Sequence, residues 1–422
     1  MLTPDEGYLD RRIAQEAGSL ARRGWLVDIF SAVDPKLAYG DELPAGVSLL
    51  TTPSPPRPVS RRRGALRTVR RLIARRVPPA GRLLETLQYR RRDIAGEITD
   101  ATLPALVGME PFDLIVAHDV PVMPVAVRLK AAWRARLICD LHEVFPEQDE
   151  HFTTGTARAY WRRLEGAGLA ASDGIICVNA AVAAYVRATH APSAPIAVVH
   201  NAVPYVPPAQ LLGPLTLRSH YPIPEGVPIL LFAGSLRPHK GLEVVIDGFA
   251  AADLQGWVLA ILGEGPLRGD LESRIARLGL GDRVFVGRRA DEQDLIQVAA
   301  SADVALLPYQ VVGFNYQIAT PNKLFEYVQA RLPIATSRLP EIERIISPLG
   351  TAGFVDFSSA SSMAAGLRTF LRDVVPGISP DRLEAAAAAA SWEREEPALL
   401  ELVRGVVTDP APRRRSGGAD LT

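Results

Sequence analysis

Leu230-Leu231-Phe232-Ala233-Gly234-Ser235-Leu236-Arg237-Pro238-His239-Lys240-Gly241 is the stretch that decides the fold. An apolar run reads as a buried strand, Gly234 opens a loop, and an apolar pattern of helical spacing starts after Gly241. The loop carries Arg237 and Lys240 at the carboxyl end of the strand, where open α/β sheets place their ligands. Arginine offers a planar fork and lysine a point charge, a pair suited to a diphosphate. A solvated turn with incidental charges is the competing reading of the loop alone.

Working outward, the same alternation of short apolar runs and helix-like stretches fills both halves, which predicts an α/β fold with parallel sheets and crossover helices. The first half offers strands at Trp25–Phe30, Val47–Leu50, Asp113–Ala117, Leu137–Asp140, Gly174–Val178 and Ala197–Val199. The second offers Pro228–Ala233, Trp257–Leu262, Val284–Val286, Val304–Leu307, Pro333–Thr336 and Phe354–Phe357. Pro204-Tyr205-Val206-Pro207-Pro208 stiffens a linker between them. The division is therefore 1–204 and 209–385, with 386–408 as a returning helix and 409–422 as a Pro-, Gly- and Arg-rich tail that reads as disordered. The last helical pattern runs over Asp381–Val407.

A doubly wound domain normally opens with a strand near the middle of its sheet. Here the first helical pattern, about Asp10–Arg23, begins almost at once, and only Met1 and Leu2 precede the loop. Either the first residue is internal to a longer reading frame or the sheet lacks a central strand. The former is favoured, because losing a central strand exposes two edges.

With 422 residues the chain has room for two or three cores, and 48% hydrophobic and 22% charged residues fit a globular protein. Net charge is zero, so no whole-molecule field attracts nucleic acid or membrane. Cys139 and Cys177 lie in apolar runs and read as core residues, and two thiols form no disulfide framework, which points to a reducing cytoplasm. The opening Met1-Leu2-Thr3-Pro4-Asp5-Glu6 does not read as a signal peptide, and no apolar run is long enough to span a bilayer.

Other strand ends carry polar groups. In Thr320-Pro321-Asn322-Lys323-Leu324-Phe325-Glu326, Thr320 suits an N-cap and Pro321 the first helical position. Lys323 then falls in the first turn, where the macrodipole disfavours a cation unless an anion binds there. Glu326 shares a face with Asn322 and can accept from a sugar hydroxyl or simply be solvated. Gly263-Glu264-Gly265-Pro266 is a tight turn, and Gly287-Arg288-Arg289 ends a strand where backbone groups can meet a nucleobase. Ile115–Asp119 and Ile138–Glu143 also end in polar residues. His142 can hydrogen-bond a sugar or shuttle a proton, or be a structural histidine. The acid and histidine spacings do not suggest a metal set, and there is no nucleophile elbow.

The stretch Arg57–Arg92 holds thirteen arginines against one acid, Glu85. Leu66, Val69, Leu72, Ile73 and Val77 recur among them at helical spacing. It reads as a basic amphipathic helix suited to an anionic membrane surface, or as a solvated arginine-rich loop. Nucleic acid fits less well, because no aromatic residue falls between Arg57 and Arg82.

These motifs resemble the retaining nucleotide-sugar glycosyltransferases of the group 1 (family 4) type, which have the GT-B fold of two facing Rossmann-like domains. The likeness covers nearly the whole chain. It is strongest over Gly263–Pro333, and it extends to Asp140-Leu141-His142-Glu143, to Ala171–Asn179 and to the Ser391-Trp392-Glu393 helix that crosses back. The resemblance implies that Arg237 and Lys240 hold the donor diphosphate, that Glu326 holds the ribose hydroxyls, and that His142 faces the donor sugar. Gly234, Ser235, Gly265, Arg288, Pro321, Asn322 and Lys323 complete the expected donor site. Two departures stand out: the family's first glutamate falls at Ile318, and its loop arginine falls at Ser235, with Arg237 two positions on.

The expected activity is metal-independent transfer of a sugar from a nucleotide-diphosphate donor to a glycan or lipid-linked acceptor, with retention. Charge on the leaving diphosphate is stabilised by Arg237, Lys240 and the helix at Pro321. The resemblance places this in bacterial surface-polysaccharide synthesis, in the cytoplasm or at the inner membrane face. A nucleotide-sugar epimerase would convert donor without acceptor. A non-catalytic sugar-nucleotide-binding or membrane-scaffold protein would bind without turnover, and Ile318 and the missing first strand are the features that suggest it.

Overall fold

The computed structural model describes residues 1–3, 8–31, 36–37, 43–51, 94–148, 155–288, 291 and 294–408. The arginine-rich stretch Arg57–Arg92 and the tail 409–422 lie outside the described residues, as does Arg289.

The strands in chain order are β1 (Leu2–Thr3), β2 (Tyr8–Leu9), β3 (Val27–Ser31), β4 (Lys36–Leu37), β5 (Val47–Thr51), β6 (Leu114–His118), β7 (Arg136–Leu141), β8 (Gly174–Cys177) and β9 (Ile196–Val198), then β10 (Ile229–Ala233), β11 (Val258–Leu262), β12 (Val284–Gly287), β13 (Val304–Leu307), β14 (Ile334–Thr336) and β15 (Ala352–Phe354). The first sheet has the order β5-β3-β1-β6-β7-β8-β9 and the second β12-β11-β10-β13-β14-β15. Every neighbouring pair is parallel. Each sheet reverses its strand order at β1/β6 and at β10/β13, and a crevice opens outside the carboxyl ends at such a switch point.

All twelve strands expected from the sequence are present. The last is shifted, to Ala352–Phe354 instead of Phe354–Phe357. There Val355 N–H donates to Thr336 C=O at the sheet margin, and Val355 and Phe357 turn into the core. The absent central strand is also corrected. Leu2 pairs with both Phe30 and Ala117, so Leu2–Thr3 fill the slot between β3 and β6 as a two-residue strand. The α-amino group of Met1 donates to Asp28 C=O at 2.6 Å beside it.

The expected helix over Asp381–Val407 is two helices, Pro380–Ala389 and Trp392–Thr408. The break at Ala390–Ser391 lets the chain change domains. Ser391 bridges Val203 in parallel, and Trp392 N–H donates to Val203 C=O at 2.9 Å. The second helix then packs Trp392, Leu399, Leu402, Val403 and Val406 against Ile138, Ile176 and Val199 of the first domain. Trp392 is buried with its indole N–H on Ser19 Oγ at 2.9 Å, so the ring brings apolar area to the interface without stranding its donor. Cys139 and Cys177 are buried free thiols, as expected, and burial pushes each up to about 12.

Candidate functional site

The helix Arg11–Ala21 starts at Asp10, whose carboxylate accepts from Arg12 N–H. Ile13, Ala17 and Leu20 face the core, and Arg12 is carried in with them. A buried guanidinium needs compensation, and Arg12 finds it at the end of β7. Nε and Nη2 grip Asp140 at 2.9 and 2.8 Å, and Nη1 donates to Val199 C=O at 2.6 Å. Asp140 also bonds His118 Nδ1 and His142 Nε2, each at 3.0 Å. Beyond them, His142 Nδ1 lies 3.7 Å from Asp10 and from Asp119.

This crowding sorts the protons. Burial alone would raise Asp140, but Arg12 and His142 hold it well below the usual carboxylate range. Burial alone would lower His142, but Asp119, Asp140 and Asp10 outweigh it and keep the imidazole well above its ordinary value. His118, buried and beside that charge, is lowered. Burial and the Asp140 charge push Glu16 up to about 8, and burial pushes Asp119 up to about 7. Asp119 also holds φ 61 and ψ 167, a region that costs a non-glycine residue roughly 1–3 kcal/mol. Its carboxylate accepts from His142 N–H at 3.1 Å, which fixes the turn that aims the imidazole.

His118, Asp140 and His142 bring ligand-type atoms within 4.8 Å of one another, a convergence the sequence spacing did not suggest. A divalent ion there would meet the Arg12 guanidinium, which occupies both oxygens of Asp140. The cluster is therefore better described as a buried proton and charge network.

Across the crevice, Gly234 and Ser235 follow β10, and Arg237 is exposed on the loop. Lys240 is half-buried, with Nζ 4.7 Å from the Tyr309 ring and 5.3 Å from the Tyr316 ring. Gly241 follows with φ +69. A Cβ at Gly265 would fall 2.2 Å from Leu236 C=O, so only glycine lets the 263–266 turn lie against the cationic loop. Arg268, which sequence reasoning passed over, ties β11 to β12 by donating to Gly263 C=O at 2.9 Å and Gly287 C=O at 2.8 Å. Arg288 is exposed just beyond β12.

The expected helix start moves by one residue. Asn322 is the first helical residue and Pro321 the cap, with no side-chain capping bond. Thr320 does not cap because its Oγ1 accepts from Asn179 of the other domain, at 2.9 Å. Lys323, unfavourably placed against the dipole, pairs with Glu326 Oε2 three residues on. Glu326 is buried, and its Oε1 accepts from Arg11 Nη1 at 3.1 Å, across the crevice. Burial would raise Glu326, but Lys323 and Arg11 keep it below its ordinary value.

The two faces thus meet. Besides Arg11–Glu326, Asn201 Nδ2 donates to Asn322 Oδ1 at 2.9 Å, and Asn179 Nδ2 donates to Ile318 C=O at 2.9 Å. Asn315 accepts from Val144 N–H at 3.0 Å and donates to Glu143 Oε2 at 2.6 Å. Ile318 is buried and packs into the first domain's core. The fold brings His142, Lys240, Pro321, Asn322, Lys323 and Glu326 to one crevice, with Gly234, Ser235, Arg237, Gly265 and Arg288 along the strand ends of its second wall. Arg11, Arg12, Asp119 and Asn179 were not singled out from the sequence. The visible signal for Arg12 was an Arg–Glu pair four apart, interleaved with the core-facing positions of an amphipathic helix.

Residues 216–390 match the family described as glycosyl transferases group 1, and residues 9–202 match the glycosyl transferase 4-like domain. A D-rhamnosyltransferase, WbpZ, of Pseudomonas aeruginosa is 36% identical over 143 residues, covering 34% of this chain and 35% of that protein. An alpha-D-kanosaminyltransferase of Streptomyces kanamyceticus is 27% identical over 143 residues, 33% of this chain and 34% of that protein. The chain thus aligns with about a third of the length of the curated relatives it matches. Among solved structures, sucrose-phosphate synthase of Thermosynechococcus elongatus superposes with TM-score 0.69 at 16% identity, covering 96% of this chain and 97% of that one. Anabaena HepE in complex with UDP and glucose gives 0.64 at 16%, covering 97% and 98%. These likenesses establish the GT-B fold.

Proposed function

We propose, from the match of residues 216–390 to the group 1 glycosyltransferases and of residues 9–202 to the glycosyl transferase 4-like domain, that the chain moves a sugar from a nucleoside-diphosphate donor to a hydroxyl acceptor, with retention at the anomeric carbon. The observation that carries the reading is the closed crevice. A cationic loop and a helix start on one wall face the half-buried His142 ring on the other, and the walls are held together by Arg11–Glu326 and Asn201–Asn322.

Arg237 and Lys240 take the diphosphate. The helix N-terminus at Asn322 and the Lys323 ammonium lie on the same wall, so the site favours the anionic leaving group over the neutral sugar. Glu326 accepts from the ribose hydroxyls, and its depressed pKa keeps it ionised for that role. His142 faces the donor sugar from the first wall, with Nε2 held by Asp140 and Nδ1 turned towards Asp10 and Asp119. The acceptor hydroxyl attacks from the leaving-group face and passes its proton to a phosphate oxygen, so no side-chain base and no metal is needed. The C–O bond to the acceptor forms as the C–O bond to the diphosphate breaks.

The acceptor is a glycan or a lipid-linked saccharide, in keeping with a relative named for D-rhamnosyl transfer and another named for teichuronic acid biosynthesis. Among the described residues no helix is long and apolar enough to cross a membrane. Work at the inner membrane face would rest on Arg57–Arg92, and sedimentation with anionic vesicles tests it. The enzyme reading is tested by screening nucleotide sugars for acceptor-dependent release of nucleoside diphosphate. Lys240→Ala and Glu326→Ala proteins that release it as fast as wild type would remove the site assignment. The anomeric configuration of the product, read by NMR, decides retention.

A further inference from the structure

We propose that Glu143 is the carboxylate that reads the donor's sugar ring, delivered across the crevice to a wall whose own position 318 is apolar. This rests on the donor reading above and deepens it.

The loop between Tyr309 and Thr320 reaches from the second domain to the first. Ile318, buried in the first domain's core, gives no hydrogen bond from its side chain, and its carbonyl is bound to Asn179. The loop is docked on the opposite wall through Asn179, which binds Ile318 C=O and Thr320 Oγ1, and through the Asn315 side chain. Asn315 uses both ends of its amide: Oδ1 accepts from Val144 N–H, and Nδ2 donates to Glu143 Oε2. Gln148 Nε2 donates to Glu143 Oε1. The carboxylate is held from both oxygens, which fixes its rotamer, yet the residue remains half-buried rather than enclosed.

Its neighbours locate it in the reaction. Tyr316, next to Asn315, lies against the Lys240 ammonium. His142, next to Glu143, lies in the imidazolium network, and the Glu143 charge is felt at Asp119. Contacts and chain neighbours thus connect Lys240 through Tyr316, Asn315 and Glu143 to His142. A diphosphate on the Lys240 loop puts the attached sugar alongside Asn315 and Glu143. Sugar hydroxyls are donors, and a fixed carboxylate accepts two of them with charge-assisted bonds that a neutral amide cannot match.

The test compares Glu143→Gln with wild type, using the UDP-, GDP- or dTDP-linked hexose that wild type turns over and the matching nucleoside diphosphate. Glutamine keeps the shape and one acceptor oxygen, for Asn315 or for Gln148, and removes the charge. The expected result is a fall in kcat/KM for the nucleotide sugar of roughly 10- to 100-fold, with nucleoside diphosphate affinity and melting temperature unchanged. Asn315→Ala, which loosens the carboxylate without removing it, should give a smaller fall of the same kind. If Glu143→Gln keeps wild-type turnover, or loses nucleoside diphosphate and nucleotide sugar equally, the carboxylate does not read the sugar. A wild-type protein that binds no donor sinks the glycosyltransferase reading and this one together, and is told apart by the wild-type result itself.

Discussion

At the end of β7 the first domain buries Arg12, Asp140, Glu16 and His118 against one another, while at the end of β10 the second domain carries Arg237 and Lys240 on a loop open to the crevice. Both sites lie at the carboxyl ends of parallel strands, β10 beside the switch point of its sheet and β7 one strand beyond β6 in the other. The first spends its charges internally, so that Arg12 and His142 balance Asp140 and Asp10. The second gathers cations around a single carboxylate, Glu326, and suits an incoming anion. One site is a prebuilt wall and the other a receptor, and mutations should sort accordingly.

The largest effect expected is on stability in the first domain. Arg12→Ala leaves the Asp140 carboxylate buried without its guanidinium partner, a loss of about 3–5 kcal/mol. Denaturant titration should show it, and Arg12→Lys should not restore it, because one ammonium cannot grip both Asp140 oxygens and Val199 C=O. Normal stability in Arg12→Ala would mean the network is incidental. The second domain should behave in the opposite way. Lys240→Ala should leave stability near wild type and slow donor turnover roughly 100- to 1,000-fold. A variant that unfolds instead would erase the contrast.

The pH dependence sharpens the same comparison. Glu16 at about 8 and Asp119 at about 7 bind protons in the folded state that the unfolded chain releases near its ordinary carboxylate values. His142, also raised, adds in the same direction. Stability is therefore highest below about pH 5 for these groups and falls as pH rises through 7 and 8, by about 1.4 kcal/mol per pH unit for each group in its window. Glu16→Gln should flatten that slope between pH 5 and 8. An unchanged slope would place the proton elsewhere.

Much of the fold was legible because parallel strands announce themselves as unbroken apolar runs, and glycine turns mark their ends. Lys240, Lys323 and Glu326 were legible as charges at helix starts and strand ends. What escaped was long-range pairing. Leu2–Thr3 are too short to show a period, and only the register with Phe30 and Ala117 makes them a strand. Arg12 reads locally as one more helix arginine, and its partner Asp140 lies 128 residues away. Thr320 has the side chain of an N-cap, but Asn179 claims its hydroxyl from the other domain. Local rules assign each residue its local optimum, and the site is built where contacts across the crevice override them.

The smallest effect is the most informative about the seam. Glu326 gives one oxygen to Lys323 and the other to Arg11, so on the proposed reading ribose hydroxyls would displace part of that set. Arg11→Ala removes the competitor and leaves Lys323 to hold the carboxylate ionised. The nucleoside diphosphate should then bind several-fold tighter, a coupling of about 1 kcal/mol. Without ligand the variant should scatter as a slightly larger particle, because one of the bonds that close the crevice is gone. Tighter binding with an opened crevice would identify Arg11–Glu326 as a latch that the donor replaces. Unchanged affinity in Arg11→Ala would show that ribose does not use Glu326. The receptor half would then hold its donor through the phosphates alone.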